Sequence, residues 1–227
     1  TKAFIYDSIG GVSSIAPFPG GVGTWAYAVN ASGQVVGGSG TTPGAPQYVH
    51  AFLRQPDGAM VDLGTLSGGP YASIAYDINN AGQVVGRSDV APGYTRPFIW
   101  EAGKGMMDLG SPAGTNSAIA VAINNVGDVV GQVSGPWGPY PVLWHDGKVI
   151  NLSDLPEVSD AGFSYLVSAN DINDSGQIVG VGAVGGVGHA FLLSPIPEPD
   201  SLALFLVGIG LLGRFAGRRR NLQVHSS

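Results

Sequence analysis

Cysteine is absent from the 227-residue sequence, and charged residues make up only 11 % of it. The absence of cysteine excludes disulfides, thiolate metal sites and cysteine nucleophiles. Sparse charge combined with 44 % hydrophobic residues excludes an intrinsically disordered chain, which needs the opposite balance. We therefore expect a folded protein without covalent cross-links.

Basic residues are rare in the body of the chain. Residues 1–200 contain six Lys and Arg against all sixteen Asp and Glu, a net charge of −10, and the other four basic residues are arginines beyond Asp200. An acidic surface repels phosphate backbones, so nucleic acid is not expected as a partner. The formal charge of −6 for the whole chain conceals this division.

A signal peptide is not found at the start of the chain, which begins at Thr1 rather than at a methionine. A protein with the tail described below should carry an export signal. We therefore expect the sequence to be a processed chain or a fragment of a longer one.

Glycine is abundant, with 37 residues, and it recurs within an internal repeat. Each copy has Ala four positions before an Asn, an aliphatic residue just before that Asn, and Gly three and seven positions after it. The copies occupy residues 26–37, 75–86, 120–131 and 169–180. Their turn residues are Asn30 and Gly33, Asn79 and Gly82, Asn124 and Gly127, and Asn173 and Gly176.

Four short apolar runs separated by Gly, Pro, Asn and Asp fill each period, a pattern typical of strands joined by turns. In the Asn-x-x-Gly step, Asn can hydrogen-bond its own backbone and Gly accepts a positive φ, so the step should reverse the chain. The asparagines are 45 to 49 residues apart. This period predicts an all-β fold, a β-propeller-like repeat of four-stranded blades.

About five blades are expected, or a fragment of a larger ring. The patterns indicate 17 strands, and a five-bladed ring could close if residues 12–15 supplied the missing fourth strand of the last blade. The alternative architecture is a β-solenoid, which is built from parallel coils.

The repeat resembles the extracellular HAF-repeat family of bacterial proteins over residues 2–193. The motifs are His-Ala-Phe at residues 50–52, Ile-Asn-x-x-Gly-x-Val-Val-Gly at residues 78–86, and Asp-Leu-Gly at residues 62–64 and 108–110. Val142 in the Phe position and Asn-Leu-Ser at residues 151–153 depart from the family pattern. The resemblance implies an exported protein and supplies no settled biochemical activity.

The C-terminal segment differs abruptly from the repeats. Pro197, Glu198 and Pro199 precede an apolar stretch at residues 202–215. Residues 201–217 would form a helix about 25 Å long, against a hydrocarbon core of about 30 Å, so we expect a short membrane span. The basic cluster consists of Arg214, Arg218, Arg219 and Arg220, and it favours a cytoplasmic C-terminus.

The Pro-Glu-Pro motif, the short apolar helix and the arginine cluster together resemble a PEP-CTERM sorting signal. This resemblance implies recognition by an exosortase in the inner membrane of a Gram-negative-type cell, and removal of the helix after sorting. An association with exopolysaccharide and biofilm export also comes from the family. The expected division is a repeat domain at 1–194, a linker at 195–200, a transmembrane helix at 201–217 and a basic cytoplasmic tail at 218–227.

No residue pattern in the sequence requires catalysis, a metal or a cofactor. The start of the fourth repeat, at residues 171–176, resembles a calcium loop, but each of the other copies lacks at least one of its oxygen ligands and a turn explains all four. No closely spaced histidines suggest a metal site. A carbohydrate-active enzyme, either a glycan hydrolase or a lyase, is the alternative function, although glutamate is scarce.

Four aromatic residues outside the repeat columns suggest ligand binding. Trp25, Tyr94, Trp137 and Tyr140 lie near Gly- and Pro-rich loops, where exposed rings could stack on sugars. The alternative is that these rings pack beneath the loops. We therefore expect an exported, surface-associated, non-catalytic repeat protein that acts in matrix or biofilm adhesion or binding, with exosortase as sorting partner and exopolysaccharide as a candidate ligand.

Overall fold

A computed structural model describes residues 1–8, 10–41, 48–68, 71–136 and 138–195. It confirms an all-β fold, with one five-residue helix, α1 (Pro156–Asp160), and a 3-10 turn at Leu152–Asp154 among the described residues. The expected transmembrane helix at 201–217 lies outside these residues. So do the Pro-Glu-Pro motif and the basic cluster.

The described strands number seventeen and form a hairpin followed by four antiparallel units, of which the second and third are joined into one eight-stranded sheet by a parallel pairing of Thr95 with Ser117. The hairpin consists of β1 (Ala3–Asp7) and β2 (Gly11–Ile15). Unit 1 consists of β3 (Thr24–Val29), β4 (Val35–Gly40), β5 (Val49–Arg54) and β6 (Met60–Asp62). Unit 2 consists of β7 (Ser73–Ile78), β8 (Val84–Ala91), β9 (Tyr94–Glu101) and β10 (Gly105–Asp108). Unit 3 consists of β11 (Ser117–Ile123), β12 (Val129–Gly135), β13 (Gly138–His145) and β14 (Lys148–Asn151). Unit 4 consists of β15 (Tyr165–Ile172), β16 (Ile178–Val184) and β17 (Val187–Leu193).

The repeated glycine of each second strand is explained by a bulge in the first strand. The pairing register shifts between Ala75 and Asp77, and at the equivalent position in the other three units. A Cβ atom on Gly86 would lie 2.0 Å from the carbonyl oxygen of Ile74. The equivalent glycines, Gly37, Gly131 and Gly180, meet a carbonyl oxygen at 1.8 to 2.0 Å. Only glycine permits this approach of the two backbones.

The hydrophobic core is divided into layers between neighbouring units. We call the side of a unit that packs on the unit before it in the chain its preceding face, and the opposite side its following face. Between units 1 and 2, the following face contributes Val36, Ala51, Leu53 and Leu63, and the preceding face contributes Ala75, Ile78, Val84 and Phe98. Equivalent layers join unit 2 to unit 3 and unit 3 to unit 4. Consecutive units therefore bury apolar side chains in the layers between them.

The hairpin occupies the place of the last two strands of a unit. The buried Ser73 hydroxyl accepts from the Ala51 N–H, at 2.8 Å, and donates to a carbonyl of unit 1, which joins units 1 and 2. The buried Thr24 hydroxyl does the same between unit 1 and the hairpin, accepting from the Ala3 N–H at 3.1 Å and donating to the Ile15 carbonyl at 2.7 Å. The hairpin is thus hydrogen-bonded to unit 1 in the same way as the last two strands of unit 1 are hydrogen-bonded to unit 2.

The ring closure considered above does not form through residues 12–15. Strand β2 pairs with β1, whereas β15, β16 and β17 form a separate three-stranded sheet. Residues 12–15 are held by their own hairpin because a five-residue antiparallel partner lies directly before them in the chain. The pairing within every unit is antiparallel, unlike the parallel coils of a β-solenoid.

Candidate functional site

The repeated Asn and Gly residues form the turn between the first and second strands of each unit. In unit 2, the Asn79 Oδ1 accepts from the N–H groups of Ala81 and Gln83, at 3.1 and 3.0 Å. Gly82 has a φ of 79°, and Gly33, Gly127 and Gly176 are also in the positive region. The asparagine side chain therefore replaces the missing backbone partners of a tight turn.

The same asparagines also join one unit to the next. The Nδ2 of Asn30 donates to the carbonyl of Asn79 at 3.1 Å, Asn79 to Asn124 at 3.0 Å, and Asn124 to Asn173 at 3.1 Å. We call this series of contacts the asparagine ladder. It runs in one direction, because each amide donates to the unit that follows it.

A second series of hydrogen bonds accompanies the asparagine ladder. The N–H of Asn80 donates to the Oδ1 of Asn125, and the N–H of Asn125 donates to the Oδ1 of Asp174, both at 2.8 Å. The N–H of Ala31 likewise donates to the Oδ1 of Asn80 at 3.0 Å. These contacts lower the pKa of Asp174, because both its side-chain and backbone partners on Asn125 favour the charged carboxylate.

A third polar position follows the turn glycine, and sequence reasoning missed it. Gln83 accepts from Asn79 at 2.6 Å and donates to Glu101 at 3.0 Å. The equivalent pairs in the other units are Gln34 with Gln55, Asp128 with His145, and Gln177 with Ser194. The signal was the polar residue directly after each turn glycine, followed about twenty residues later by a second polar residue. These pairs link the first hairpin of a unit to its third strand.

Asp62 of the Asp-Leu-Gly motif has a structural role. Its carboxylate accepts from the Gly64 N–H at 2.8 Å and lies 2.9 Å from the Nδ1 of His50. Burial opposes ionisation, but the contacts with His50 and Gly64 together outweigh it and hold the pKa of Asp62 below its usual value. Asp108 likewise accepts from the Gly110 N–H at 2.7 Å. The motif is thus a capped turn.

Asp77 is a half-buried carboxylate that also serves the architecture. It accepts from the Ile78 N–H at 2.8 Å and from the Ile123 N–H of unit 3 at 2.9 Å. Burial raises the pKa of Asp77 more than these two hydrogen bonds lower it, and the nearby charge of Asp171 adds to the increase. Among the described residues, no three His, Asp or Glu side chains gather as metal ligands.

The four aromatic residues chosen from the sequence lie in three different units. Trp25 is half-buried on β3 of unit 1, Tyr94 is 45 % exposed on β9 of unit 2, and Tyr140 is half-buried on β13 of unit 3. Burial raises the pKa of Tyr140, whose ring lies over Gly135. Trp137 lies outside the described residues. No ring contact joins Trp25, Tyr94 and Tyr140 in the described part of the chain.

A groove beside unit 1 brings other aromatic residues together. It has a volume of about 770 Å³ and lies between the hairpin and the preceding face of unit 1. Its walls include Phe4, Tyr6, Tyr27, Val29 and Arg54. Sequence reasoning missed this groove because Phe4 and Tyr6 occupy repeat columns, which were interpreted as parts of the core.

Comparison with known proteins identifies the C-terminal segment. Residues 195–220 match the family model of the PEP-CTERM protein-sorting motif. The chain carries a PEP-CTERM sorting signal. It is therefore an exported bacterial protein, sorted by an exosortase to the surface or the extracellular space. No curated protein matches the chain. In the described part of the chain, no helix has both the length and the apolar character needed to cross a membrane.

Proposed function

We propose that this exported protein is a non-catalytic binding module of the extracellular matrix, and that its ligand is a surface polysaccharide. The sorting signal places it among exported proteins, where such polymers are the abundant surface material. The observation that carries the proposal is the exposed aromatic side chains on a stack of mutually hydrogen-bonded units. Rigid scaffolds that present a few exposed groups commonly serve recognition.

The non-catalytic character is supported by the positions of three aspartates. Asp62, Asp77 and Asp128 each hold a turn or join neighbouring strands or units through hydrogen bonds. Glycan hydrolysis requires two carboxylates facing each other across the sugar, one of them protonated. The arrangement of these aspartates serves the repeat instead.

We also propose that the units are arranged as blades of a propeller, with the hairpin as part of a fifth blade. Three antiparallel units of four strands and one of three, each packed on the next through an apolar layer, support this arrangement. Residues 201–217 then form a membrane helix that holds the protein in the inner membrane until the exosortase acts. The HAF-type repeat accounts for the body of the chain in the same proposal.

Binding is tested with the full chain in mild detergent, applied to an array of bacterial exopolysaccharides. We expect retention of at least one polysaccharide, without release of reducing ends or unsaturated sugars during incubation. Absence of retention on every polysaccharide contradicts the binding role, and release of sugar products contradicts the non-catalytic role.

Sorting is tested in an exosortase-containing host with the Glu198→Ala variant. We expect the mature wild-type protein, identified by mass spectrometry, to end near Pro199 and to leave the membrane fraction. The variant should keep its C-terminus and stay in the membrane. Identical processing of both proteins would contradict recognition through this motif.

A further inference from the structure

A pocket lies between units 1 and 2, at the end of the strands where the asparagine turns are found. It has a volume of about 570 Å³, and we call it the interunit pocket. Its walls include the side chains Gln34, Gln55, Asn80, Gln83, Trp100 and Glu101. Both walls are consecutive units of the described chain, so the pocket does not depend on what lies beyond either end of the array.

Trp100 is less buried than the tryptophan in the same repeat column of unit 3. Trp144 is 5 % exposed, and its Nε1 donates to the Gly110 carbonyl at 2.9 Å. Trp100 is half-buried, and its Nε1 has no hydrogen-bond partner among the described residues. The indole N–H of Trp100 is therefore available to a ligand.

One difference between the first strands of the two units explains this contrast. The Ser73 hydroxyl of unit 2 donates to the Gly64 carbonyl, which is the counterpart of the Gly110 carbonyl. In unit 3 the column of Ser73 holds Ala118, which has no hydroxyl to donate. The Gly110 carbonyl is thus left to Trp144, whereas the carbonyl that would suit the indole of unit 2 already has a donor.

Two amide side chains of the interunit pocket have unused donors. The Oε1 of Gln55 accepts from the Nε2 of Gln34 at 3.0 Å, and the Oδ1 of Asn80 accepts from the Ala31 N–H at 3.0 Å. Within the described part of the chain, neither the Gln55 Nε2 nor the Asn80 Nδ2 has a partner. Each amide is therefore held through its oxygen and keeps its N–H groups for a ligand.

Glu101 supplies an acceptor to the same pocket. Its carboxylate lies 2.6 Å from the Lys104 Nζ and accepts from the Gln83 Nε2 at 3.0 Å. These contacts with Lys104 and Gln83 hold the pKa of Glu101 below its usual value, so the group is charged at neutral pH. A carboxylate has about four acceptor positions, and it can therefore also accept from a ligand hydroxyl. Its charge disfavours an anionic ligand.

The equivalent pocket between units 3 and 4 differs in size and lining. It has a volume of about 210 Å³. The column of Trp100 holds Leu193, which is fully buried, and the column of Ala102 holds Pro195, which lies against the turn at Gly176. The interunit pocket therefore owes its size and its aromatic wall to its own side chains and not to the shared backbone of the repeat.

An indole, two amides and a carboxylate together suit a neutral sugar. A sugar hydroxyl both donates and accepts, so it can pair with amide donors and a carboxylate acceptor, while the C–H groups of a hexose pack on the apolar indole. The volume lies within the range of small-molecule sites, about 300 to 1,000 Å³. We propose that the interunit pocket binds a neutral hexose of a polysaccharide chain through Trp100, Gln55, Asn80 and Glu101. This inference rests on the proposed binding function.

The test measures binding of the full chain in mild detergent to the polysaccharide retained in the array, and to neutral gluco-, manno- and galacto-hexaoses. Trp100→Leu and Gln55→Ser introduce the residues that unit 4 has in these columns, Leu193 and Ser194, so both variants should fold. Trp100→Leu should weaken binding about tenfold or more, and Gln55→Ser about threefold. The matched control, Ser175→Ala in the pocket between units 3 and 4, should change affinity less than about twofold.

The preference for a neutral sugar is tested with hexagalacturonate and the Glu101→Gln variant. We expect the wild-type chain to bind hexagalacturonate more weakly than the best neutral hexaose. Glu101→Gln should narrow this difference, because it removes the charge that repels a uronate and keeps an acceptor oxygen. Gln55 shows that the repeat accepts glutamine in this column.

Each contrary outcome has a distinct meaning. Polysaccharide retention that is unchanged in Trp100→Leu and Gln55→Ser overturns the pocket assignment and leaves the proposed function standing. Failure of the wild-type chain to bind any glycan overturns the function and the site together. Tighter binding of hexagalacturonate than of every neutral hexaose overturns the neutral ligand class. Far-ultraviolet circular dichroism checks that every variant is folded.

Discussion

Unit 2 and the N-terminal hairpin carry the same repeat column in opposite environments. Phe98 of unit 2 is fully buried, and Phe4 of the hairpin, which has the same position in the pattern, is 69 % exposed. The difference arises from the neighbour and not from the local sequence, because unit 1 covers Phe98 and no described residue packs over Phe4 in the same way. Burial in a repeat array is thus decided by position along the stack.

The largest expected effect tests this contrast directly. Phe98→Ala should lower the free energy of unfolding by about 3 to 5 kcal/mol, because it opens a cavity between units 1 and 2. Phe4→Ala should change it by less than about 0.5 kcal/mol. Urea unfolding measures both variants. Similar losses in the two would show that the hairpin is covered in solution.

The glycine beside the bulge provides the next test of interior packing. Gly86→Ala places a Cβ atom 2.0 Å from the Ile74 carbonyl oxygen, so the two strands must separate. We expect the free energy of unfolding, measured with urea, to fall by about 1 to 3 kcal/mol. The matched control is Gly188→Ala on β17, where the nearest atom lies at 3.7 Å. A control as destabilised as Gly86→Ala would contradict the steric explanation.

The asparagine ladder predicts a smaller difference in stability, between replacement of an interior asparagine and replacement of the last one. Asn79→Ala removes two turn contacts and the donor to the Asn124 carbonyl, so it should lower the free energy of unfolding by about 1 to 3 kcal/mol. Asn173 makes the turn contacts and the contact with Gln177. Asn173→Ala should therefore lower the free energy of unfolding by less than Asn79→Ala does. Thermal unfolding compares the two. Equal shifts in Tm would mean that the contacts between units contribute little.

The smallest expected effect is on the pH dependence of the free energy of unfolding. Because burial raises the pKa of Asp77 above its ordinary value of 3.8, the folded chain holds this proton more tightly than the unfolded chain. The resulting stabilisation is complete below pH 3.8 and is lost as pH rises through the raised pKa. Asp77→Asn should therefore gain stability relative to wild type as pH increases over that window. Urea unfolding at several pH values measures this, and a constant difference would refute it.

Much of the fold could be predicted because the repeat combines period and turn chemistry. The Asn-x-x-Gly steps mark the first turn of each unit, and the apolar runs give the strands and their number. The asparagine ladder could not be predicted, since Asn79 and Asn124 are 45 residues apart and a turn alone explains both. Their second role depends on how the units stack, which no local pattern encodes.

The candidate site illustrates the same limit. Trp25, Tyr94 and Tyr140 were chosen because they stand outside the repeat columns, yet the structure spreads them over three units. The groove beside unit 1 is lined instead by Tyr6 and Tyr27, which both lie in repeat columns. Conversely, the sorting signal could be identified from sequence alone, because an exosortase substrate is defined by a short linear motif.

The one-way direction of the asparagine ladder has a consequence for how chain length can change. Every interior turn offers the same carbonyl to the unit before it and the same amide to the unit after it, so an extra period inserts without altering either neighbour. Gene duplication or loss of a whole period therefore lengthens or shortens the array while the sorting signal at residues 195–220 stays intact.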